Sequence, residues 1–449
     1  MDLLHLLTAA TLYVASFCPS TEFQVNVRPA GNQCNAAVAA DTDGQFLVVW
    51  SSYFSSGGRS NEIIARRFAP NGNPPGDEFQ INAVSAGNQT EPAVALDGMG
   101  YFGVTWQGPG SDGDEDIFVR LFDPNSQPIT GDLPVNAEVI GRQIHPRVAA
   151  SPNGGLFIVW ENQPPAEAGN HSTVRGQRLD PNGKAVGPEF WIDEDVYDCR
   201  YPDIAVDETG YFVVTWMQDR TNKTICARLY DPNGLASTEP FDVSTADIAS
   251  VTRPSVAMWA SGEFVVVWDG DPKRASRDDI HARCFASEGT ALSDAFEVNS
   301  LSVGAQQWPQ VAVSGTTSFV VVWQHEHDDS DLATDIFARQ FDRQGTAMGD
   351  EVKLNGYVAG KQRYPDVTLS ANSQLMAAWE SDDQDESGYG IFACVASLAS
   401  PVDFNADGTV DFSDFGIFAR SWRGPEGDVT GDERADALDL ERFCADWLE

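Results

Sequence analysis

The sequence predicts a mainly β protein, a seven-bladed β-propeller with a small all-α module behind it. Three observations carry that expectation. A Trp ending an apolar run recurs at Trp50, Trp106, Trp160, Trp216, Trp268, Trp323 and Trp379, at intervals of 56, 54, 56, 52, 55 and 56 residues. Each interval holds four short apolar runs bounded by Gly, Pro, Asn and Asp, the pattern of strands separated by tight turns. After Pro401 this period stops and another begins.

The four runs of each repeat follow in fixed order. The first is PxVA-like, as in "PAVALD" and "PDIAVD". The second, "FVVVW" in its fullest form, is apolar at every position, so it is expected to be covered on both faces. The third reads "DIFVRLF" or "DIFARQF", and a "DPNG" turn follows it. The fourth is short, "FQVN", "FQIN" or "FEVN". Four strands per unit, seven units and a period near 55 fit a propeller. A β-helix needs a shorter repeat, and an immunoglobulin array needs about 100 residues per module. The seventh unit ends without its own fourth run, whereas Phe23-Gln24-Val25-Asn26 precedes the first complete unit. The N-terminal run is therefore expected to complete the last blade, which would hide both open edges.

These runs divide the chain into residues 1–21, 22–397 (the propeller) and 401–449. The start, "LLHLLTAATLYVASF", has the apolarity of a signal-peptide core but no basic residue before it, so it reads either as a signal remnant or as a buried segment. No other apolar run is long enough to span a bilayer. The 449 residues carry 28 Lys and Arg against 67 Asp and Glu, a net charge of −39. That balance argues against nucleic acid or an anionic membrane as partner, because both need a basic face. Seven Cys without a CxxC pair exclude a disulfide scaffold and argue against a zinc–thiolate site; one or two disulfides are left open.

Strands alternate in direction, so one face of the ring carries the regular DxxG and DPNG turns and the other carries the irregular loops, where function usually sits. On that second face one position stands out. It precedes the Pro that opens the first strand, and it is Asn35, Glu91, His145, Tyr201, Arg253, Trp308 and Tyr364 in successive units. Six are followed by Pro and Asn35 by Ala36. The frame is constant and the side chain changes. The seven are expected to ring the mouth of the central channel, either as a site for a sugar or polar small molecule or as side chains that plug the channel or fan into solvent. The acidic loops "SDGDEDI", "HEHDDSD" and "SDDQDES" offer Asp112, Asp114 and Asp116, then His325, Glu326, His327, Asp328, Asp329 and Asp331, then Asp382, Asp383, Asp385 and Glu386. They read as solvated loops, with cation binding as the competing reading. No GxSxG elbow, P-loop or HExxH occurs.

The last fifty residues have their own logic. In "DFNADGTVDFSD", Asp403, Asn405, Asp407, Thr409 (by its carbonyl), Asp411 and Asp414 occupy alternate positions of a calcium loop, and Gly408 sits where the chain must turn. A second copy offers Asp428, Thr430, Asp432, Arg434 (by its carbonyl), Asp436 and Asp439, with Glu433 in place of the Gly. Each loop leads into a helical spacing, Phe415, Phe418 and Trp422 in one and Leu440, Phe443 and Trp447 in the other. This tandem resembles a type I dockerin. The resemblance implies Ca²⁺ as bound ion, a cohesin on a cell surface or cellulosome as partner, an extracellular bacterial setting and polysaccharide-directed cargo. Phe412-Ser413 and Ala437-Leu438 stand where many dockerins carry a Ser-Thr recognition pair. The propeller half resembles bacterial secreted repeat proteins of no settled activity. Two function classes follow: an adhesion or glycan-binding protein, and a polysaccharide hydrolase or lyase with its site at the channel mouth.

Overall fold

The computed structural model describes residues 19–398, apart from 55–59, 166–170, 194–195, 246–247, 273–276, 302, 316–317 and 328–332. The dockerin-like tandem and the N-terminal apolar segment lie outside the described residues. Within them the strands form seven four-stranded antiparallel sheets, the seven blades of a propeller. Blade 1 is built from Gln33–Ala40, Phe46–Phe54, Ser60–Phe68 and Phe79–Gln80. Blade 7 combines Gln362–Leu369, Gln374–Asp382 and Tyr389–Ser397 with Phe23–Gln24 from the other end of the chain. Phe23 pairs with Ala393 and Gln24 with Phe392, and the Val25 amide donates to the Ile391 carbonyl at 2.8 Å, so the ring closes as the sequence predicts.

The second strand of each blade is apolar on both sides because it lies between neighbouring blades. Its Trp is at most 1 % exposed in all seven. The indole needs a partner once buried. In blades 2, 3 and 6 the Gln two residues before the channel-mouth position accepts it: Trp106 to Gln89 at 2.8 Å, Trp160 to Gln143 at 3.0 Å and Trp323 to Gln306 at 2.9 Å. Blades 4 and 5 have Cys199 and Val251 at that position, and the Trp216 and Trp268 indoles have no partner.

Blades are tied side by side by the Arg of the third strand. Arg66, Arg120, Arg228, Arg283 and Arg339 reach the carbonyls of Val25, Ile81, Ile192, Val243 and Val298 at 2.6–3.1 Å, each in the preceding blade. A charged donor on a backbone carbonyl at a half-buried seam is a strong hydrogen bond. The FxVN Asn prolongs the two-residue fourth strand by accepting from the third strand: Ile63 N–H to Asn82 Oδ1 is 2.8 Å, and Ile280 N–H to Asn299 Oδ1 is 2.8 Å.

One boundary differs from the sequence expectation. The Pro does not open the first strand. In every blade that strand starts earlier, and the mouth residue, which precedes a Pro in six of the seven, sits inside it at a β-bulge. The register slips between Cys34 and Ala37, Thr90 and Ala93, Ile144 and Arg147, Arg200 and Asp203, Thr252 and Ser255, Gln307 and Gln310, and Arg363 and Asp366. A Pro has no amide to give to the ladder, and a bulge on an edge strand is where that loss is tolerated.

Candidate functional site

The bulge fixes what the sequence could only suggest. Asn35, Glu91, His145, Tyr201, Arg253, Trp308 and Tyr364 all have φ between +47° and +58°. Left-handed backbone is unusual for any residue but Gly, and costs most for bulky side chains such as Trp and Tyr. The same strained turn thus occurs seven times around one axis. All seven residues line one cavity of about 420 Å³ on the axis. Each is half-buried, so each keeps part of its surface open to it.

A second set of residues holds these bulges in place. The side chain directly after the repeat Trp accepts the bulge amide of the next blade. Glu380 takes Asn35 N–H at 2.7 Å, Gln107 takes His145 at 3.0 Å, Glu161 takes Tyr201 at 3.4 Å, Asp269 takes Trp308 at 3.2 Å and Gln324 takes Tyr364 at 3.3 Å. Ser51 and Met217 occupy the two remaining places. Three of these acceptors are buried carboxylates that also hold a basic side chain, at the mouth for Glu161 and Asp269 and next to it for Glu380. Glu161 meets His145 Nδ1 at 3.2 Å, Asp269 meets Arg253 Nη1 at 3.0 Å, and Glu380 meets Arg363 Nε at 2.9 Å. Burial pushes the Asp269 and Glu380 carboxyls above their ordinary range, while Arg253 and Arg363 pull them back.

Around the mouth the side chains touch in sequence. Asn35 donates to Glu91 Oε1 at 2.9 Å. The rings of His145 and Tyr201 lie 5.4 Å apart. The Arg253 guanidinium stacks on Trp308, 3.9 Å from the ring centre, a cation–π contact. Trp308 meets Tyr364 edge-on at 4.4 Å. The rim is therefore aromatic on blades 4, 6 and 7 and hydrogen-bonding or charged on the rest.

A second ring lies two residues further along each first strand, and sequence reasoning missed it. It consists of Ala37, Ala93, Arg147, Asp203, Ser255, Gln310 and Asp366, all lining the cavity. Arg147 Nε is 3.9 Å from Asp203 Oδ1. Ser255 donates to Gln310 at 3.1 Å. Asp203 accepts the Val256 amide and Asp366 the Val38 amide, each at 2.8 Å, so both carboxylates cap the inner edge of the next blade. Burial raises the proton affinity of both. Asp366 is held at about 6, with the Val38 amide and Arg147 opposing the rise and the Asp203 charge adding to it. The signal was in the sequence: five polar residues occupy a position that a β-core would fill with apolar ones.

The acidic loops have other duties. Asp116 accepts Asn136 Nδ2 at 2.7 Å, Asp112 accepts the Asp114 amide at 3.1 Å, and Asp385 holds Gln24 and Asn26 of the closing strand at 3.3 Å. Asp382, Asp383 and Glu386 lie in the same turn region, where the Glu386 amide donates to the Asp383 carbonyl at 3.3 Å. His327 meets Asp335 at 2.9 Å, and His325 meets Gln306 at 2.7 Å. Glu326 ends the strand that carries His325, His327 follows it, and Asp328, Asp329 and Asp331 lie outside the described residues. No group of three His, Cys, Asp or Glu placed for a metal occurs among the described residues. The calcium-loop residues, from Asp403 to Asp439, also lie outside them. Cys34, Cys199, Cys226, Cys284 and Cys394 are free thiols.

A second cavity, of about 410 Å³, opens on the opposite face between blades 2 and 3. Gly103 stands there where other blades carry a larger apolar residue, and the walls are mostly aliphatic and aromatic.

No family model and no curated protein matches the chain. Solved structures do. A protein of unknown function from Dyadobacter fermentans DSM 18053 is 11 % identical, with 69 % of this chain and 94 % of that one covered at a TM-score of 0.50. An α-L-arabinanase of Penicillium chrysogenum complexed with arabinobiose is 10 % identical over 84 % of this chain and 98 % of its own, at a TM-score of 0.45. A polysaccharide lyase, a PL25 ulvan lyase, is 11 % identical over 88 % of this chain and 98 % of its own, at 0.47. The first is a likeness of fold alone, and the other two carry no argument about this chain.

Proposed function

We propose that this chain is an extracellular glycan-recognising protein whose ligand enters the mouth of the propeller channel. One observation carries the reading: seven different side chains stand on one repeated, strained backbone around a single cavity. Strain of this kind persists only where the surroundings enforce it, and it gathers at ligand sites. A sugar ring offers an apolar C–H face and a rim of hydroxyls. Trp308, Tyr364 and Tyr201 supply flat apolar faces, while Glu91, His145, Asn35 and Arg253 supply donors and acceptors. A cavity of about 420 Å³ is of the size that binds small organic ligands. At pH 7 a chain of charge −39 repels polyanions, so the ligand is read as neutral.

The C-terminal tandem is proposed to bind Ca²⁺ through Asp403, Asn405, Asp407, Thr409, Asp411 and Asp414 and their second-copy counterparts, and to dock on a cohesin-like surface protein. Its support is the spacing of the ligand positions and the Gly408 turn. A second reading, a polysaccharide-degrading enzyme, is favoured by the polar second ring below the rim.

The full chain is screened on a glycan array beside Tyr201→Ala and Trp308→Ala. Binding by the wild type that drops at least tenfold in both variants is expected; no glycan bound at all would sink the reading. For the tandem, calorimetric titration of the full chain with CaCl₂ is expected to show binding that Asp403→Ala and Asp407→Ala remove.

A further inference from the structure

The second ring is uneven, and its unevenness has a direction. Ala37 and Ala93, on adjacent blades, present only a methyl group to the channel, whereas the other five blades present Arg, Asp, Ser, Gln and Asp. The bore is therefore widest on the side of blades 1 and 2, beneath the Asn35–Glu91 pair. Asp366 flanks that space on one side and Arg147 on the other. On every blade the cavity lining ends one residue beyond the second ring, at Val38 and its counterparts. Its lining is thus only two rings of side chains deep, which fits the end of a chain better than its middle.

We propose that Asp366 and Asp203 form the acid–base pair of a glycosidase centre that removes the terminal unit of a neutral polysaccharide, with that unit seated over Ala37 and Ala93. The proposal rests on the reading of the channel mouth as a glycan site. Both carboxylates line the cavity, and a backbone amide of the next blade fixes one oxygen of each. Their surroundings differ, as a pair with separate roles requires. Burial raises the proton affinity of Asp203 too, but Arg147 lies 3.9 Å from its Oδ1 and opposes that rise. Asp366 feels the Asp203 charge as well as burial and holds its proton to about 6.

The step balances without a further reactant. Asp366 gives its proton to the glycosidic oxygen as the C–O bond to the terminal sugar breaks. A water attacks the anomeric carbon, and Asp203 takes the proton that the water loses. The products are the freed sugar and a polymer one unit shorter, and proton exchange with solvent restores both carboxyls. Elimination by a lyase needs a uronate on the substrate, which the net charge of this chain disfavours.

The competing role for the two carboxylates is structural, the capping of inner strand edges. Asn keeps an acceptor oxygen for the same amide, so Asp366→Asn and Asp203→Asn separate the two roles. The full chain is incubated with arabinan, xylan and mannan, with reducing ends and product size measured, and with binding of each polymer followed by calorimetry. Circular dichroism reports folding. The proposal expects single sugars released from a polymer that the wild type binds. It expects kcat at least ~100-fold lower in both Asn variants, with Kd within about threefold of wild type. It also expects weaker binding in Ala37→Leu, which fills the seat. A polymer bound but not cleaved, or cleaved equally by Asp366→Asn, would overturn the catalytic proposal and leave the mouth reading intact. An unsaturated product would overturn it in favour of elimination. Binding of none of the polymers by a folded chain would remove both.

Discussion

Asp366 makes its carboxyl measurable without any ligand. Its native proton affinity, at about 6, lies above the ordinary carboxylate value near 4 that the unfolded chain would have. The native state therefore holds more protons between those values. Stability is unaffected by this group below about pH 4, falls as pH rises from about 4 to 6, and stays reduced above it. Replacing the group with Asn is expected to stabilise the fold by about 1–3 kcal/mol at pH 8 and by close to nothing at pH 3.5, read from urea midpoints. An equal effect at both pH values would mean that the carboxyl is not perturbed. Among single residues, the mouth positions were legible from the sequence because a fixed Pro marks them. The acceptors Glu161, Asp269 and Glu380 were not, because each meets a residue of the next blade that is 40, 39 and 345 positions away, respectively. Only after the blades are known to be neighbours does "Trp followed by an acceptor" become a pattern.

At the level of the element, the bulge is the unit to test. Its backbone suits Gly, so Tyr201→Gly is expected to be more stable than Tyr201→Ala by about 1 kcal/mol, while both lose the aromatic face. Thermal melts of the two variants compare them directly. An Ala variant as stable as the Gly one would show that the left-handed turn carries no strain. A second test uses blade 5, where Val251 leaves the Trp268 indole unpartnered. Val251→Gln copies the arrangement of blades 2, 3 and 6 and is expected to add about 1 kcal/mol, seen as a higher urea midpoint at unchanged slope. The strands themselves were read correctly in kind and number, since four apolar runs per repeat dictate four strands. The start of the first strand was misplaced because Pro usually ends pairing, and nothing local announces that a bulge will carry the strand through it.

For the whole molecule, the repeat period alone was enough to give seven blades, and the unmatched FxVN run near the N-terminus was enough to give the closure. Closure is held by one strand pairing of two residue pairs, by the Asn26 side chain accepting from Ile391 N–H at 2.9 Å, and by the Arg66 guanidinium on Val25 O. Val25 is fully buried in the blade 7–blade 1 seam. Val25→Asp buries a charge with no partner and is expected to cost at least 3 kcal/mol, opening the ring at blade 7 first. Hydrogen exchange would show this as lost protection in Tyr389–Ser397 before the strands of blade 4.

That closing strand also sets a clock. Residues 23–26 leave the ribosome early, but their partners, 389–397, follow more than 360 residues later. At ordinary synthesis rates the interval is on the order of 20–75 s. Throughout it the first and the most recent blade each show an unpaired edge, and no arrangement of the six finished blades can hide them both. The protein can reach its native topology only after translation has passed the last blade. Factors that shield strand edges during this wait should govern its yield more than the stability of any one blade.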